Sequence, residues 1–239
     1  MTQHTLQGRS ENEILWFQRR SVVKAAAAWA AMGGLPAALA QQRSNVVQMT
    51  GDTVLNGLVL QPGQVIQTGD QVTTGPGSNV MFVIGNAAFM VRQNSSLSVE
   101  RGETLNAVSL LRLVTGGVVS VWGRGNSRSV VMPTLTAGIR GTGVYAEVLA
   151  QQNNRNYFCN CYGTVDLDID GEKRVSTADY HQSFLSNVEA NGGSKFASAK
   201  AINHTDEELE FLAKLINQRT SWQISGKKGN RDGTGKSEY

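Results

Sequence analysis

The spacing of apolar residues between Val46 and about Phe184 is the feature that most constrains the fold. In this region apolar residues alternate with polar ones, or form short runs between turn residues, which is the pattern of β-strands. Leu97 and Val99 alternate with serines, so one face of that strand is expected to pack and the other to meet water. The chain is therefore predicted to be all-β over most of its length.

Two runs, Val80–Ile84 and Val118–Trp122, are apolar at nearly every position and predict central strands covered on both faces. Turn residues separate the strands at short intervals. Gly85-Asn86 and Asp170-Gly171 each predict a tight hairpin, because glycine tolerates the positive φ that two-residue turns require. Many short strands at this spacing indicate a sandwich, a roll or a solenoid-like fold, and the sequence does not choose among them.

The first forty residues have the features of an export signal. Arg19 and Arg20 precede a modest apolar run, Ala25–Met32, and the segment ends in small residues at Ala38 and Ala40. A twin-arginine pair ahead of a weakly apolar stretch is the bacterial signal for export of an already folded protein. We expect residues 1–40 to be a cleaved twin-arginine signal peptide and the mature protein to be periplasmic.

Charge and apolar content argue against two classes of partner. The chain has 22 basic and 19 acidic side chains, and the leader holds four and two of these, which leaves 18 against 17. Nucleic-acid binding depends on clustered lysine and arginine, so no nucleic-acid partner is expected. After the leader no apolar stretch is long enough to cross a bilayer, so the mature form is expected to have no membrane span.

The C-terminal part predicts a linker, a helix and a tail after a β-domain over residues 41–186. Residues 187–204 contain many small residues and are expected to be the linker. Thr205 and Glu208 have the spacing of a capping box, and the leucines that follow share one helical face. These features predict one amphipathic helix over residues 205–222. Residues 223–239 mix basic side chains with glycines and are expected to form a disordered tail.

An ordered series of motifs runs from about Val54 to Phe184. The series consists of Gln67–Asp70, Thr74–Ser78, Gly85-Asn86, Asn94–Leu97, Leu111–Gly117, Val118–Val121, Val130–Thr134, Gly138–Tyr145 and Cys161–Leu167. In this order the motifs resemble the FecR-type domain of periplasmic regulators. The resemblance implies an extracytoplasmic β-rich module without enzymatic chemistry, which binds a periplasmic or outer-membrane protein.

The chain departs from the transmembrane regulators of that family. It shows no cytoplasmic anti-sigma segment and no transmembrane helix in its sequence pattern. We therefore expect a stand-alone exported interaction module, not an enzyme, that relays a signal or scaffolds a complex in the bacterial envelope.

The Cys159-Asn160-Cys161 segment is the sharpest chemical feature of the sequence. Two residues apart on a strand, both sulfurs point to one face. Three interpretations remain: a disulfide suited to an oxidising compartment, a thiolate site for Zn²⁺ or Cu⁺ with His181 as a further ligand, and plain packing in the core. The disulfide is favoured over the metal, because His181 and His204 alone remain as imidazole donors beyond the leader. No cofactor is expected unless the metal interpretation holds.

Three other residues are candidates for binding. Arg140 can pair with a carboxylate of the fold or with an anionic ligand, and the structural role is favoured. Trp122 and Tyr145 can stack a sugar ring, although such residues more often lie in a core. The sequence contains no recognisable motif of catalytic residues. The alternatives to an interaction module are therefore a metal-thiolate carrier or redox protein, and a glycan-binding envelope protein.

Overall fold

The computed structural model describes residues 44–104, 107–125, 127–186 and 193–237. The predicted signal peptide lies outside these residues, as do residues 187–192 of the predicted linker. The strands are β1 Val46–Thr50, β2 Thr53–Leu55, β3 Leu58–Val59, β4 Gln71–Thr74, β5 Asn79–Ile84, β6 Ala87–Val91, β7 Ser96–Arg101, β8 Val108–Trp122, β9 Arg128–Val131, β10 Thr136–Ile139, β11 Gly143–Leu149, β12 Arg155–Ile169, β13 Glu172–Ala178, β14 Tyr180–Ser186, β15 Phe196–Ser198 and β16 Thr234–Gly235. The α-helices are α1 Asp206–Leu215 and α2 Ser221–Ser225, and a 3-10 turn spans Ala150–Gln152.

The strands form two sheets that confirm the all-β prediction. Sheet 1 has the order β1-β5-β6-β8-β11-β12-β14, with β15 and β16 both paired to β14. Sheet 2 has the order β3-β2-β4-β7-β8-β9-β10-β12-β13. Neighbouring strands are antiparallel except β8 and β9, which are parallel. Of the three architectures left open, the structure matches a sandwich.

Strands β8 and β12 are long because each belongs to both sheets. Strand β8 pairs with β7 in sheet 2 up to Thr115, and with β11 in sheet 1 from Gly116. Gly116 has a φ of +71°, and a Cβ there would lie 2.6 Å from the Cα of Ser95. Glycine is therefore required where β8 passes between the sheets. The Gly116-Gly117 pair thus lies at the bend of one continuous strand.

The core is divided into two apolar layers by sheet 1. One layer fills the space between the sheets and includes Phe82, Leu97 and Trp122. The other lies between sheet 1 and the helices and includes Val119 and Leu212. Alternate residues of the Val80–Ile84 and Val118–Trp122 runs enter different layers, which confirms that these strands are covered on both faces.

Helix α1 begins as the sequence predicts but ends earlier. The Thr205 hydroxyl accepts from the backbone N–H of Glu208, whose carboxylate accepts from the N–H of Thr205. Glu208 also pairs with Arg92 of the loop after β6 at 2.6 Å, which fastens the helix to sheet 1. The chain turns at Asn217, which has a φ of +64°, and Thr220 caps the separate helix α2. The expected single helix over residues 205–222 is therefore wrong, because a left-handed residue ends it.

The expected linker and disordered tail are also wrong over their described residues. Strand β15 lies in the linker, pairs with β14 and buries Phe196. Strand β16 lies in the tail, and its neighbour Gly233 approaches the carbonyl of Ala199 so closely that a Cβ would overlap it. Small residues here permit close backbone contact, whereas composition alone suggested flexibility.

Both expected hairpins are confirmed, since β5 pairs with β6 around Gly85-Asn86 and β12 pairs with β13 around Asp170-Gly171. Within the described residues, neither helix has the length and apolar content that crossing a membrane demands.

We expect Gly116→Ala to lower the free energy of unfolding by about 2–4 kcal/mol, measured by urea denaturation. The left-handed backbone costs an alanine about 1 kcal/mol, and overlap with Ser95 adds roughly 1–3 kcal/mol. The matched control is Gly57→Ala, where φ is +84° but no atom lies within 4 Å of the added Cβ. Equal losses in the two variants would show that β8 can bend without glycine.

Candidate metal centre

Cys159 and Cys161 lie on the face of β12 that points toward the helices, as the alternation of a strand requires. Strand β12 pairs Tyr162 with Gly143 but Asn160 with Val144, so Cys161 is the extra residue of a β-bulge. Both side chains are fully buried free thiols with their sulfurs 3.6 Å apart. A disulfide requires a separation of about 2.05 Å. The favoured disulfide is therefore not present in this structure.

His181 is positioned by an irregularity in β14. The pairing of β14 with β16 shifts register between Tyr180 and Gln182, and His181 takes a φ of +38°. A left-handed conformation is costly for a non-glycine residue and recurs at functional sites. It places the fully buried imidazole with Nδ1 3.5 Å from the Sγ of Cys159. The sequence-predicted combination of two thiols and His181 is thus brought together.

His204 completes the cluster from the turn that precedes α1. Its Nε2 lies 3.4 Å from the Sγ of Cys161 and 3.1 Å from Nδ1 of His181. Its ring stacks on Tyr145, with centroids 4.8 Å apart, and the residue is 4% exposed. From the sequence His204 was expected only as an available imidazole and was not assigned as a ligand. The available signal was its position directly before the capping box of the amphipathic helix.

Four of the six separations among the donor atoms are close to those of a tetrahedral site. All four atoms lie within 4.8 Å of one another. Zn²⁺ with ordinary bond lengths sets about 3.8 Å between two sulfurs, about 3.6 Å between sulfur and nitrogen, and about 3.3 Å between two nitrogens. The corresponding separations given above are 3.6 Å, 3.5 and 3.4 Å, and 3.1 Å. Two thiolates and two imidazoles therefore fit around one ion.

Groups behind the imidazoles orient their lone pairs toward the cluster. Nε2 of His181 lies 3.0 Å from Oδ1 of Asp206, and Nδ1 of His204 lies 2.6 Å from the carbonyl of Ile202. An oxygen acceptor at this distance places the proton on the outer nitrogen and leaves the inner nitrogen free to bind. A carboxylate or carbonyl behind each histidine is the usual arrangement at protein metal sites.

Two cations from the C-terminal segment hold the Asp206 carboxylate in place. Arg231 contacts Oδ1 at 2.8 Å and Lys228 contacts Oδ2 at 2.8 Å, while the Tyr180 hydroxyl donates to Oδ2 at 3.0 Å. Arg231 also donates to the carbonyl of His204. The segment predicted to be disordered is therefore part of the support of the cluster.

The electrostatics of the metal-free cluster favour charge separation. Burial opposes ionisation of Cys159, but hydrogen bonding from Cys161 and the nearby imidazoles hold its pKa well below the usual value. Burial and the neighbouring Cys159 thiolate raise the pKa of Cys161. Burial opposes protonation of His181, yet hydrogen bonds with Asp206 and Cys159 raise its pKa. These shifts favour the thiolate form of Cys159 and the protonated form of His181.

Cys159, His181 and Asp206 also have the order of a thiol nucleophile, a base and an orienting carboxylate. A nucleophile must be reached by its substrate, however. Cys159 and His181 are 0% exposed, and Trp222 stacks on the His181 ring with centroids 5.4 Å apart. Two grooves of the described surface, of about 650 and 380 Å³, are lined by residues of sheet 2 and its loops and not by these side chains. Burial therefore favours metal binding over nucleophilic catalysis.

The other predicted site residues do not join in a binding surface. Arg140 pairs with Asp166 of β12, with Nε 2.8 Å from Oδ2, on the exposed face of sheet 2. Trp122 is 0% exposed between the sheets, and its indole N–H donates to Ser120. Tyr145 is 1% exposed and lies against His204 of the cysteine and histidine cluster. Both rings are enclosed, which agrees with the core role that was favoured for them and gives no support to the alternative in which they stack a sugar.

Comparison with known proteins gives a partial likeness of fold. No family model matches the chain, and no curated protein matches its sequence. Two crystal structures, each of a candidate anti-sigma factor from Parabacteroides distasonis ATCC 8503, align with a TM-score of 0.44 at 9% and 11% identity. The alignments cover 54% and 56% of this chain, which spans 58% and 59% of those chains. Similarity at this level supports no inference about function, so the FecR-type resemblance rests on the sequence motifs.

Proposed function

We propose that this protein is an exported, non-catalytic β-domain that binds one Zn²⁺ through Cys159, Cys161, His181 and His204. The observation that carries the proposal is that four separations among the donor atoms are close to those of a tetrahedral site, with all four atoms within 4.8 Å of one another. Two sulfurs and two nitrogens in this arrangement suit zinc, a metal without a redox role.

The proposed role of the ion is structural. Four protein donors fill a tetrahedral shell and leave no position for water or substrate, whereas catalytic zinc sites keep one position open. The donors come from β12, from β14 and from the turn before α1, so the ion joins sheet 1 to the helical layer. The domain would then serve as an interaction module, as the FecR-type resemblance implies. A periplasmic protein partner belongs to this proposal.

The proposal is tested by the metal content of the purified protein. We expect about one zinc per chain by elemental analysis, because the site is a complete tetrahedral shell. Cys161→Ser and His204→Ala are expected to lose most of it. The matched control is Val119→Ala, which removes apolar volume from the same layer without removing a donor and should retain zinc. Stoichiometric copper in place of zinc would favour the alternative of a copper carrier or redox protein, and a metal-free protein would contradict the proposal.

Asp206 is expected to position His181 and not to bind the ion itself. Asp206→Asn should weaken zinc binding by about 10- to 100-fold, as loss of an orienting partner does at other zinc sites. A competition titration with a chromophoric chelator measures the change. The matched control is Glu210→Gln, because Glu210 also pairs with Lys228 but does not contact His181. Equal weakening in both variants would mean that Asp206 acts only through the general charge of this region.

Removal of zinc is expected to change the fluorescence of Trp222 and leave that of Trp122 unchanged. Trp222 stacks on His181, whereas Trp122 lies in the other apolar layer. The mature chain contains these two tryptophans, so each can be observed alone in a Trp222→Phe or Trp122→Phe variant. A chelator should shift emission in Trp122→Phe only. An equal shift in both variants would indicate that the whole domain unfolds and that the ion does not act locally.

A further inference from the structure

The proposed zinc site is closed to solvent in the folded domain. Cys159, Cys161 and His181 are 0% exposed, and His204 is 4% exposed. Trp222 and Tyr180, each 3% exposed, cover the His181 ring. An ion can therefore enter or leave only when the helical layer moves away from sheet 1.

The site also exists only in the folded chain. Its donors span positions 159 to 204, and Arg231, which supports Asp206, lies further along the chain. Metal binding at a site of this kind is coupled to folding. The ion must therefore be available in the compartment where the chain folds.

The two thiols would be at risk if that compartment were oxidising. In an unfolded chain Cys159 and Cys161 are accessible and are separated by a single residue, Asn160. A protein disulfide of an oxidase can then take two electrons from the pair and is itself reduced to two thiols. The product is a Cys159–Cys161 disulfide, and the two protons of the cysteine thiols pass to the oxidase thiols. Two of the four zinc donors would be lost in this step.

The leader offers a route that avoids this loss. Arg19 and Arg20 have the pattern that directs a protein across the membrane after it has folded. The cytoplasm keeps thiols reduced. We propose that zinc is bound in the cytoplasm and is carried across the inner membrane inside the folded domain, so that one compartment supplies both the ion and the free thiols. This inference rests on the proposed zinc site.

The test compares three forms of the full chain produced in one bacterial strain. The first has its own leader. The second replaces residues 1–40 with a leader of the general secretory pathway, which exports the chain unfolded. The third carries Arg19→Lys with Arg20→Lys, is retained in the cytoplasm, and is purified from that fraction. Zinc per chain is measured by elemental analysis, and the thiols are counted by alkylation and mass spectrometry.

We expect about one zinc and two free thiols per chain in the first and third forms. In the second form we expect several-fold less zinc and an oxidised cysteine pair. Equal zinc in the first and second forms would overturn the inference and leave the zinc site intact. A retained third form without zinc, beside an exported first form with it, would overturn the inference even if the second form were degraded. Absence of zinc from all three forms would overturn the proposed function as well.

Discussion

Sheet 1 lies between two apolar layers, and most of the structure depends on that position. Its central strands have no face exposed to water. The side chains on both faces of these strands must therefore be apolar or have all their polar groups hydrogen-bonded. The helical layer is needed to cover the second face, and it is held by apolar contacts of Leu209 and Leu212 and by the Arg92–Glu208 ion pair. Residues 193–237, the described part of the chain after β14, therefore belong to the same folded unit as the sandwich.

The polar cluster within the second layer is costly unless a positive charge occupies it. Inner nitrogens of His181 and His204 lie 3.1 Å apart, and the proton of each ring is drawn to an outer acceptor. Without a proton or an ion between them, two lone pairs would face each other in a buried site. A Zn²⁺ ion would satisfy both nitrogens and both sulfurs at once, whereas a single proton would not.

Much of the fold follows from local sequence patterns. Period-two alternation, the Asp170-Gly171 hairpin and the Thr205 capping box each depend on residues close in the chain, and each is present in the structure. The pairing of the cysteines with His181 was also predictable, because thiols and imidazoles are few. The sharing of β8 and β12 between two sheets was not, since it depends on contacts far apart in sequence.

Composition is a poor guide to structure where small residues have a packing role. Gly229 lies against the backbone of Lys236, and Gly233 lies against the backbone of Ala199. An argument that glycine makes a chain flexible does not anticipate these contacts. His204 was missed as a ligand for a similar reason. A flexible linker would not fix the distance between His204 and Cys161. In the structure, β15 and Arg231 hold the turn that contains His204 against sheet 1.

The bulged strand β12 has a consequence for how this gene can vary. Phe158 faces the layer between the sheets, while its neighbours Tyr157 and Cys159 face the helices. Deleting or inserting a single codon before Cys159 would exchange these faces, sending the sulfurs into a hydrocarbon interior and a phenyl ring toward the imidazoles. Insertions and deletions in this part of β12 should therefore be selected against more strongly than most single amino-acid substitutions.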